Sequence, residues 1–272
     1  MLKTRVLTAL ILASALLSAL FLLPPLGMLL IFVGIVVLAA WEWAGLLKMS
    51  PAARLGYGAL TGLPCLFLLG ADFPAFWMKG LCLIATFFWI FVVPLWFRGK
   101  WPLRNHAIAW LIGWVLLVPS WAAMVMLYQR SPWLLLAAMA LVWVADIAAY
   151  FAGRAFGRHK LAPTISPGKT WEGAVGAVVG VLVYAALVGT SSGHLALLSG
   201  SQLVFVVLGL ILLTVVSIFG DLFESLVKRQ AGVKDSSALL PGHGGVLDRI
   251  DSLTSTLPFV ALTASTFLAF SP

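Results

Sequence analysis

Acidic residues are few in this sequence, and most of them fall in its second half. Nine of the 272 residues are Asp or Glu. Seven of these lie between positions 146 and 251: Asp146, Glu172, Asp221, Glu224, Asp235, Asp248 and Asp251. Carboxylates held close together repel one another unless a cation lies between them. The grouping predicts a metal site, and oxygen ligands favour a hard cation such as Mg²⁺.

Helical spacing brings some of these acids onto common surfaces. Four residues recur at intervals i, i+3, i+4 and i+7, which is one face of a helix: Asp221, Glu224, Ser225 and Lys228. Asp248 and Asp251 are likewise three residues apart. If these two helix ends meet, their carboxylates form a cage suited to one or two Mg²⁺ ions. The alternative for each acid taken alone is an ion pair with a neighbouring Lys or Arg.

Basic residues lie beside the acids in the same two segments. They are Arg154, Arg158, Lys160, Lys169, Lys228, Arg229, Lys234 and Arg249. Residues 166–170 read SPGKT and predict a turn at a helix N-terminus, where backbone N–H groups and the helix dipole favour phosphate. The spacing GxxxxGK[ST] of a Walker A loop is missing.

A glycine-rich stretch, residues 241–245 (PGHGG), lies between charged residues. Glycine lets the backbone come close to a ligand. Lys234 and Asp235 precede this stretch, and the DRID run at 248–251 follows it. Carboxylates for a metal, bases for phosphates and a glycine cradle are the parts of a phosphoryl- or nucleotidyl-transfer site.

The composition of the whole chain indicates that lipid surrounds these elements. Hydrophobic residues make up 62% of the chain and charged residues 10%, with a mean hydropathy of +1.08. A soluble domain has about 25% charged residues. Basic cytoplasmic loops explain the net charge of +8 better than nucleic acid binding does. The predicted fold is therefore all-α, that of a polytopic integral membrane protein.

A transmembrane helix needs about 20 mostly apolar residues. Nine segments meet this description: 6–23, 25–47, 55–71, 79–97, 106–128, 132–152, 172–190, 203–226 and 246–270. Pro24 and Pro25 predict a tight turn between the first two. We expect the first segment to be kept as a helix rather than removed as a signal peptide, because a second span follows almost at once.

The basic residues set the expected orientation of these spans. With nine spans and a cytoplasmic N-terminus, 15 of the 17 Lys and Arg residues face the cytoplasm, and the exceptions are Lys79 and Arg130. The C-terminus is then outside, and the charged residues of helices 6–9 meet at the cytoplasmic face. We divide this single membrane domain into helices 1–5 (residues 1–130) and catalytic helices 6–9 (residues 131–272).

Other positions carry narrower expectations. The row Gly173, Gly176 and Gly180 predicts close helix packing. Asp72 is expected in an outer loop. Glu42, near the inner end of the second span, is equally consistent with an interfacial residue and with a support for the site.

Residues 225–251 read SLVKRQAGVKDSSALLPGHGGVLDRID. They resemble the C-terminal signature of the phosphatidate cytidylyltransferase (CDP-diacylglycerol synthase) family: S-x-hydrophobic-K-R, four residues, K-D, then H-G-G, then D-R-hydrophobic-D. Every defining position is filled. The stretch 146–173 and the N-terminal motifs FLLPPLG and AAWEWAGL are also similar to bacterial members.

The resemblance implies a reaction in which a phosphatidate oxygen attacks the α-phosphorus of CTP and pyrophosphate leaves, with Mg²⁺ as cofactor. The partners would be CTP and phosphatidate from the inner leaflet of a bacterial inner membrane. A homodimer is a further expectation, since dimers are the commonest oligomers.

The resemblance also implies roles for individual residues. The expected metal ligands are Asp221 and Asp248, with Asp146, Glu224 and Asp251 as further candidates. The expected phosphate-binding residues are Lys169, Lys228, Arg229 and Lys234. The residues expected to bind or shape the substrate pocket are Ser166, Thr170, Ser225, Asp235, His243, Gly244, Gly245 and Arg249. His243 is expected to donate or accept a hydrogen bond rather than to transfer a proton.

Two other readings compete with this one. A cation-coupled transporter would explain acids within spans as an ion path. However, the acids gather at one face instead of spreading toward the midplane, and internal repeats are absent from the sequence. A CDP-alcohol phosphotransferase would also use CDP and lipid, but its DxxDG and GxxxDxxxD elements do not occur.

Overall fold

The structure is a computed structural model that describes residues 2–70, 75–103 and 105–267. These parts of the chain fold almost entirely into helices. They are α1 (Leu2–Leu22), α2 (Pro25–Leu46), α3 (Pro51–Gly70), α4 (Ala75–Phe87), α5 (Val93–Gly99), α6 (His106–Arg130), α7 (Pro132–Phe156), α8 (Trp171–Ser191), α9 (Gly200–Ala231) and α10 (Leu247–Phe267). A π-helical turn, Phe88–Val92, joins α4 to α5, and a 3₁₀-helix, His194–Leu197, precedes α9.

Local sequence explains several helix ends. Pro25 is the first residue of α2, a position where the missing N–H has no partner to lose. The Asn105 side chain caps α6 by accepting a hydrogen bond from Ala107 N at 2.9 Å. Ser199 and Gln202 form a capping box at the start of α9. Gly232 ends that helix with φ +80°, a conformation that suits glycine.

The described residues contain seven helical segments long and apolar enough to cross a membrane. They are Pro25–Leu46, Pro51–Gly70, Phe76–Gly99, His106–Arg130, Pro132–Phe156, Trp171–Ser191 and Gly200–Ala231. The chain is therefore an α-helical membrane protein, as predicted. The apolar part of α1 is shorter, and α10 is less apolar because it is rich in Ser and Thr. The number of crossings and the sidedness remain predictions.

Each of the nine predicted spans coincides with helix in the described residues. Asp72, the last residue of the third predicted span (position 71) and the end of the last predicted span (268–270) lie outside those residues.

Helix α10 is buried within the bundle, where it contacts α9, α6, α4, α7 and α2. Pro258 lies in this helix and has no N–H to donate to the carbonyl four residues earlier, that of Thr254. The indole N–H of Trp89 donates to that oxygen instead, and the hydroxyl of Ser120 in α6 lies close to it. Trp89 Nε1 lies 3.1 Å from it and Ser120 Oγ lies 3.3 Å from it. The proline thus creates an acceptor that ties α10 to its neighbours.

The predicted glycine row allows α8 to pack closely on α7, which confirms that interpretation. A Cβ at Gly176 would collide with the Cβ of Ala152, and one at Gly180 would lie 2.6 Å from the Cβ of Ala148. At Gly173 it would lie 2.9 Å from a backbone oxygen of α7. Small residues at such an interface let two backbones approach.

The expected turn at residues 166–170 is wrong, since these residues form a strand. Strand β2 (Ser166–Thr170) pairs antiparallel with β1 (Lys160–Ala162). Long-range bonds close this hairpin against α8: Trp171 N donates to His159 O at 3.0 Å, and Glu172 Oε1 lies 2.7 Å from His159 Nδ1. This pairing overrides the turn tendency of Pro and Gly, and it extends Lys169 toward α9.

Candidate active site

A cavity of about 640 Å³ lies among α7, α8, α9, α10 and the hairpin. Its charged lining residues are Asp146, Arg154, Lys169, Asp221, Lys228, Asp235, Asp248, Arg249 and Asp251. Most of the acids predicted from sequence are therefore brought to one place, together with cations from both loops. A lining of both signs can hold an anionic substrate and a metal ion together.

Lys169 and Asp221 form an ion pair across the cavity wall, with Lys169 Nζ 2.6 Å from Asp221 Oδ2. Their side chains are 23% and 32% exposed, so both remain accessible from the cavity. Ser225 lies one turn along α9 and its hydroxyl is 3.3 Å from Asp221 Oδ1, within hydrogen-bond distance. The i, i+4 spacing predicted this contact.

Lys228 is bound more deeply, between two buried carboxylates. Its Nζ lies 2.7 Å from Glu224 Oε2 and 2.5 Å from Asp248 Oδ1. The exposed fractions are 12% for the Lys228 side chain, 5% for Glu224 and 4% for Asp248. One ammonium group is therefore shared by two acids from different helices. The other oxygen of Glu224, Oε1, is buried without a hydrogen-bond partner among the described residues.

The second oxygen of Asp248 is held by the loop between α9 and α10. Asp248 Oδ2 accepts from Ser236 N at 2.9 Å, from Ser236 Oγ at 2.8 Å and from Gly245 N at 2.7 Å. Gly244 has φ +80°, and a Cβ there would lie 2.6 Å from the same oxygen. The glycines of the predicted cradle thus wrap around a carboxylate of the protein itself.

The sequence profile of the cytidylyltransferase family matches residues 3–267. This chain is a member of the cytidylyltransferase family. The match covers every element that surrounds the cavity.

Two relatives of this family member align over nearly its full length, and a third aligns over less than half of it. A phosphatidate cytidylyltransferase of Pseudomonas aeruginosa is 42% identical over 271 residues, 96% of each chain. The protein of that name from Haemophilus influenzae is 37% identical over 281 residues, 95% of this chain and 97% of its own. A third, from Brucella suis, is 50% identical over 132 residues, 47% of this chain and 45% of its own. Similarity therefore extends well beyond residues 225–251.

Not every predicted site residue of this cytidylyltransferase reaches the cavity. Thr170 lines it, and its side chain also caps α8 by accepting from Gly173 N at 3.1 Å. The predicted residues that lie outside its lining are Ser166, Glu224, Ser225, Arg229, Lys234, His243, Gly244 and Gly245. Arg229 is exposed and lies with Nη1 3.4 Å from Val233 O. The ring of His243 has its Nδ1 buried without a partner among the described residues.

The chemistry of the acids suits a magnesium ion, although they are not gathered as a finished ligand set. Asp146, Asp221 and Asp251 all line the cavity, and each lies within electrostatic range of another. Their carboxylate oxygens are the donors that Mg²⁺ prefers. In the described ranges, no three acidic, His or Cys side chains lie close enough together to hold an ion. The carboxylate oxygens are therefore suitable ligands for Mg²⁺ in chemical type. In this structure Asp221 pairs with the ammonium group of Lys169.

Sequence reasoning assigned no role to Arg154 or Ser236, and it left open whether Glu42 is interfacial or supports the site. Arg154 lines the cavity and donates to the hydroxyl of Tyr150 at 3.1 Å, and Ser236 holds Asp248. Glu42 of α2 contacts the same loop from the N-terminal half of the chain. An ionisable residue within a span was the available signal for Glu42, but its partner loop lies almost 200 positions away.

Proposed function

We propose that this chain transfers the cytidylyl group of CTP to phosphatidate, giving CDP-diacylglycerol and pyrophosphate. The observation that carries the proposal is the cavity in which carboxylates and cations face each other beside membrane-spanning helices. Membership of the cytidylyltransferase family and the names of its full-length relatives support the same reaction.

The reaction is a displacement at phosphorus. A phosphate oxygen of phosphatidate forms a bond to the α-phosphorus of CTP, and the bond from that phosphorus to the bridging oxygen of the β-phosphate breaks. The attacking phosphate is already ionised, so a general base is not needed. Catalysis then consists of holding the two anions in line and neutralising the charge that passes to pyrophosphate.

The cavity cations are placed to bind these phosphates. Lys169 and Lys228 are each fixed by a carboxylate before substrate arrives, which reduces the loss of side-chain entropy on binding. Arg249 lies on the same lining and can contact phosphate through two parallel N–H groups. Arg229 and Lys234 are exposed nearby and would attract CTP toward the cavity by long-range charge.

A magnesium ion would be held by the cavity carboxylates. Asp146, Asp221 and Asp251 have the donor type, and they line one space. When bound, the ion would supply charge neutralisation at the phosphates of CTP. Asp248 was predicted as a metal ligand, but both its oxygens are engaged by Lys228 and the loop; we therefore assign it the task of holding Lys228 in the cavity. Glu224, also predicted as a ligand, would share that task.

The arrangement in the membrane belongs to the same proposal. Nine spans with the N-terminus inside would put the cavity at the cytoplasmic face of a bacterial inner membrane, where CTP is available. The distribution of basic residues supports this orientation. The nucleotide-pocket roles of Ser166, Asp235 and His243, and assembly as a homodimer, stay predictions.

The experiment is pyrophosphate release by the purified protein in detergent. CTP, Mg²⁺ and phosphatidate are supplied together and then omitted one at a time, and the lipid product is recovered by extraction. Release that needs all three, with CDP-diacylglycerol recovered, would establish the reaction. A folded protein that releases no pyrophosphate with any phosphatidate or divalent cation would refute it.

A further inference from the structure

Glu42 is a fully buried carboxylate whose two oxygens are both saturated by hydrogen bonds. Its exposed fraction is 0%, and it lies between Trp41 and Trp43 near the end of α2. Oε1 accepts from Ser237 Oγ at 2.6 Å and from Val246 N at 2.9 Å. Oε2 is 3.1 Å from Ser236 Oγ and accepts from Leu247 N at 2.6 Å.

Three neutral donors contact Glu42 alone, and the Ser236 hydroxyl, which has a single hydrogen, is shared with Asp248. All four groups belong to the loop between α9 and α10 or to the first residue of α10. The amides of Val246 and Leu247 stand at the N-terminus of α10, where backbone N–H groups lack acceptors within the helix. The positive end of the helix dipole also favours an anion there. A carboxylate accepts hydrogen bonds at both of its oxygens. The amide of glutamine has the same shape, but its NH₂ group would face other donors.

The Ser236 hydroxyl lies between two carboxylates, 3.1 Å from Glu42 Oε2 and 2.8 Å from Asp248 Oδ2. Gly245, the neighbour of Val246, donates its N–H to that same Asp248 oxygen. A Cβ at Gly245 would collide with both Ser236 Oγ and Glu42 Oε1, so this residue fits only as glycine. Asp248 in turn holds Lys228 at the cavity wall.

We infer that Glu42 is a positioning residue for the transfer reaction. It does not line the cavity; it fixes Ser236 and the 245–247 backbone so that Asp248 presents the Lys228 ammonium group to the phosphates. This inference rests on the proposed function. It makes a residue of α2 part of a site whose other charges come from α7 to α10.

The test compares Glu42→Gln and Ser236→Ala with Ser237→Ala as the matched control. Ser237 donates to the carboxylate that Ser236 also contacts, and among the described residues it makes no hydrogen bond to Asp248. Loss of a supporting partner behind a functional group commonly lowers activity by about 10–100-fold. We expect kcat to fall by that factor in Glu42→Gln and by about 10-fold in Ser236→Ala, with KM for CTP changed much less, because a displaced cation weakens contacts made in the transition state.

A double variant separates positioning from simple loss of folding. If Glu42 acts through Ser236, the Glu42→Gln/Ser236→Ala protein should lose no more kcat than Glu42→Gln alone, whereas independent effects would multiply. Ser237→Ala should keep kcat within about twofold, as expected for a change outside a coupled pair. All rates are taken per folded molecule, from thermal unfolding in the same detergent.

The outcomes distinguish this inference from the proposed function. Wild-type protein without phosphatidate-dependent pyrophosphate release would refute the function, and the inference would fall with it. Active wild-type protein with a normal kcat in folded Glu42→Gln would overturn the inference alone. If Glu42→Gln does not fold, Ser236→Ala decides: a kcat equal to that of Ser237→Ala rejects positioning, and a selective loss supports it.

Discussion

The two lysines of the cavity should respond differently to the same substitution, although both are expected to bind phosphate. Lys228→Met leaves two carboxylates without their shared cation, and their side chains are only 5% and 4% exposed. Asp248 keeps three hydrogen bonds from the loop, whereas Glu224 keeps no ion-pair partner among the described residues. Removing one partner of a buried pair costs about 3–5 kcal/mol of folding free energy.

Lys169→Met removes a pair that is far better solvated. The side chains of Lys169 and Asp221 are 23% and 32% exposed, and pairs open to solvent contribute about 0–1 kcal/mol. For a chain of this size, 1 kcal/mol shifts the melting temperature by about 2–4 °C. We therefore expect Lys228→Met to melt on the order of 10 °C lower than wild type, and Lys169→Met at most about 4 °C lower.

Thermal unfolding in detergent and pyrophosphate release measure the two effects separately. Both variants should lose turnover, but only Lys228→Met should lose much stability. Adding Glu224→Gln to Lys228→Met removes one of the stranded charges, so it should restore part of the melting temperature and none of the activity. Equal melting temperatures for the two single variants would show that burial does not separate the pairs as argued.

Three further predictions concern α10, α7 and α8. Asp248→Asn should lower kcat by about 100-fold in protein that still inserts, because an NH₂ group then faces either Lys228 or the loop donors; a near-normal kcat would remove Asp248 from the site. Asp146→Asn should raise the Mg²⁺ concentration for half-maximal pyrophosphate release by about 10-fold or more, and an unchanged titration would exclude it as a ligand. Gly176→Ala should cost about 1–3 kcal/mol in thermal unfolding because its Cβ would collide with that of Ala152. The control is Gly209→Ala, whose Cβ meets nothing within 4 Å; equal melting of the two would contradict the packing argument.

Much of the site was predictable from short-range spacing. The spacing along α9 predicted a shared helix face, on which Ser225 lies beside Asp221. Glu224 lies on the same face and pairs with Lys228, which was the alternative to its expected place as a metal ligand. The hydrophobic runs predicted helix at each of the nine spans, since lipid requires backbone hydrogen bonds to be made within each segment.

What could not be predicted depends on partners distant in the sequence. Residues 166–170 contain two turn-forming residues, and only their pairing with β1 makes them a strand. Asp248 has the side-chain chemistry of a metal ligand. The sequence around it does not indicate that Ser236 and Gly245 donate hydrogen bonds to its carboxylate. Glu42 was ambiguous for the same reason, because its role depends on a loop 194 positions later.

The distance between Glu42 and Ser236 also has a consequence for how the protein is made. The ribosome adds roughly 5–20 residues per second, so 194 residues separate synthesis of the two by roughly 10–40 s. During that time α2 carries a carboxylate whose hydrogen-bond donors have not yet been synthesised. A nascent chain released before α10 would keep this acid without those hydrogen bonds. The hydrogen bonds of Glu42, in the first half of the chain, therefore form only after the loop between α9 and α10 has been made.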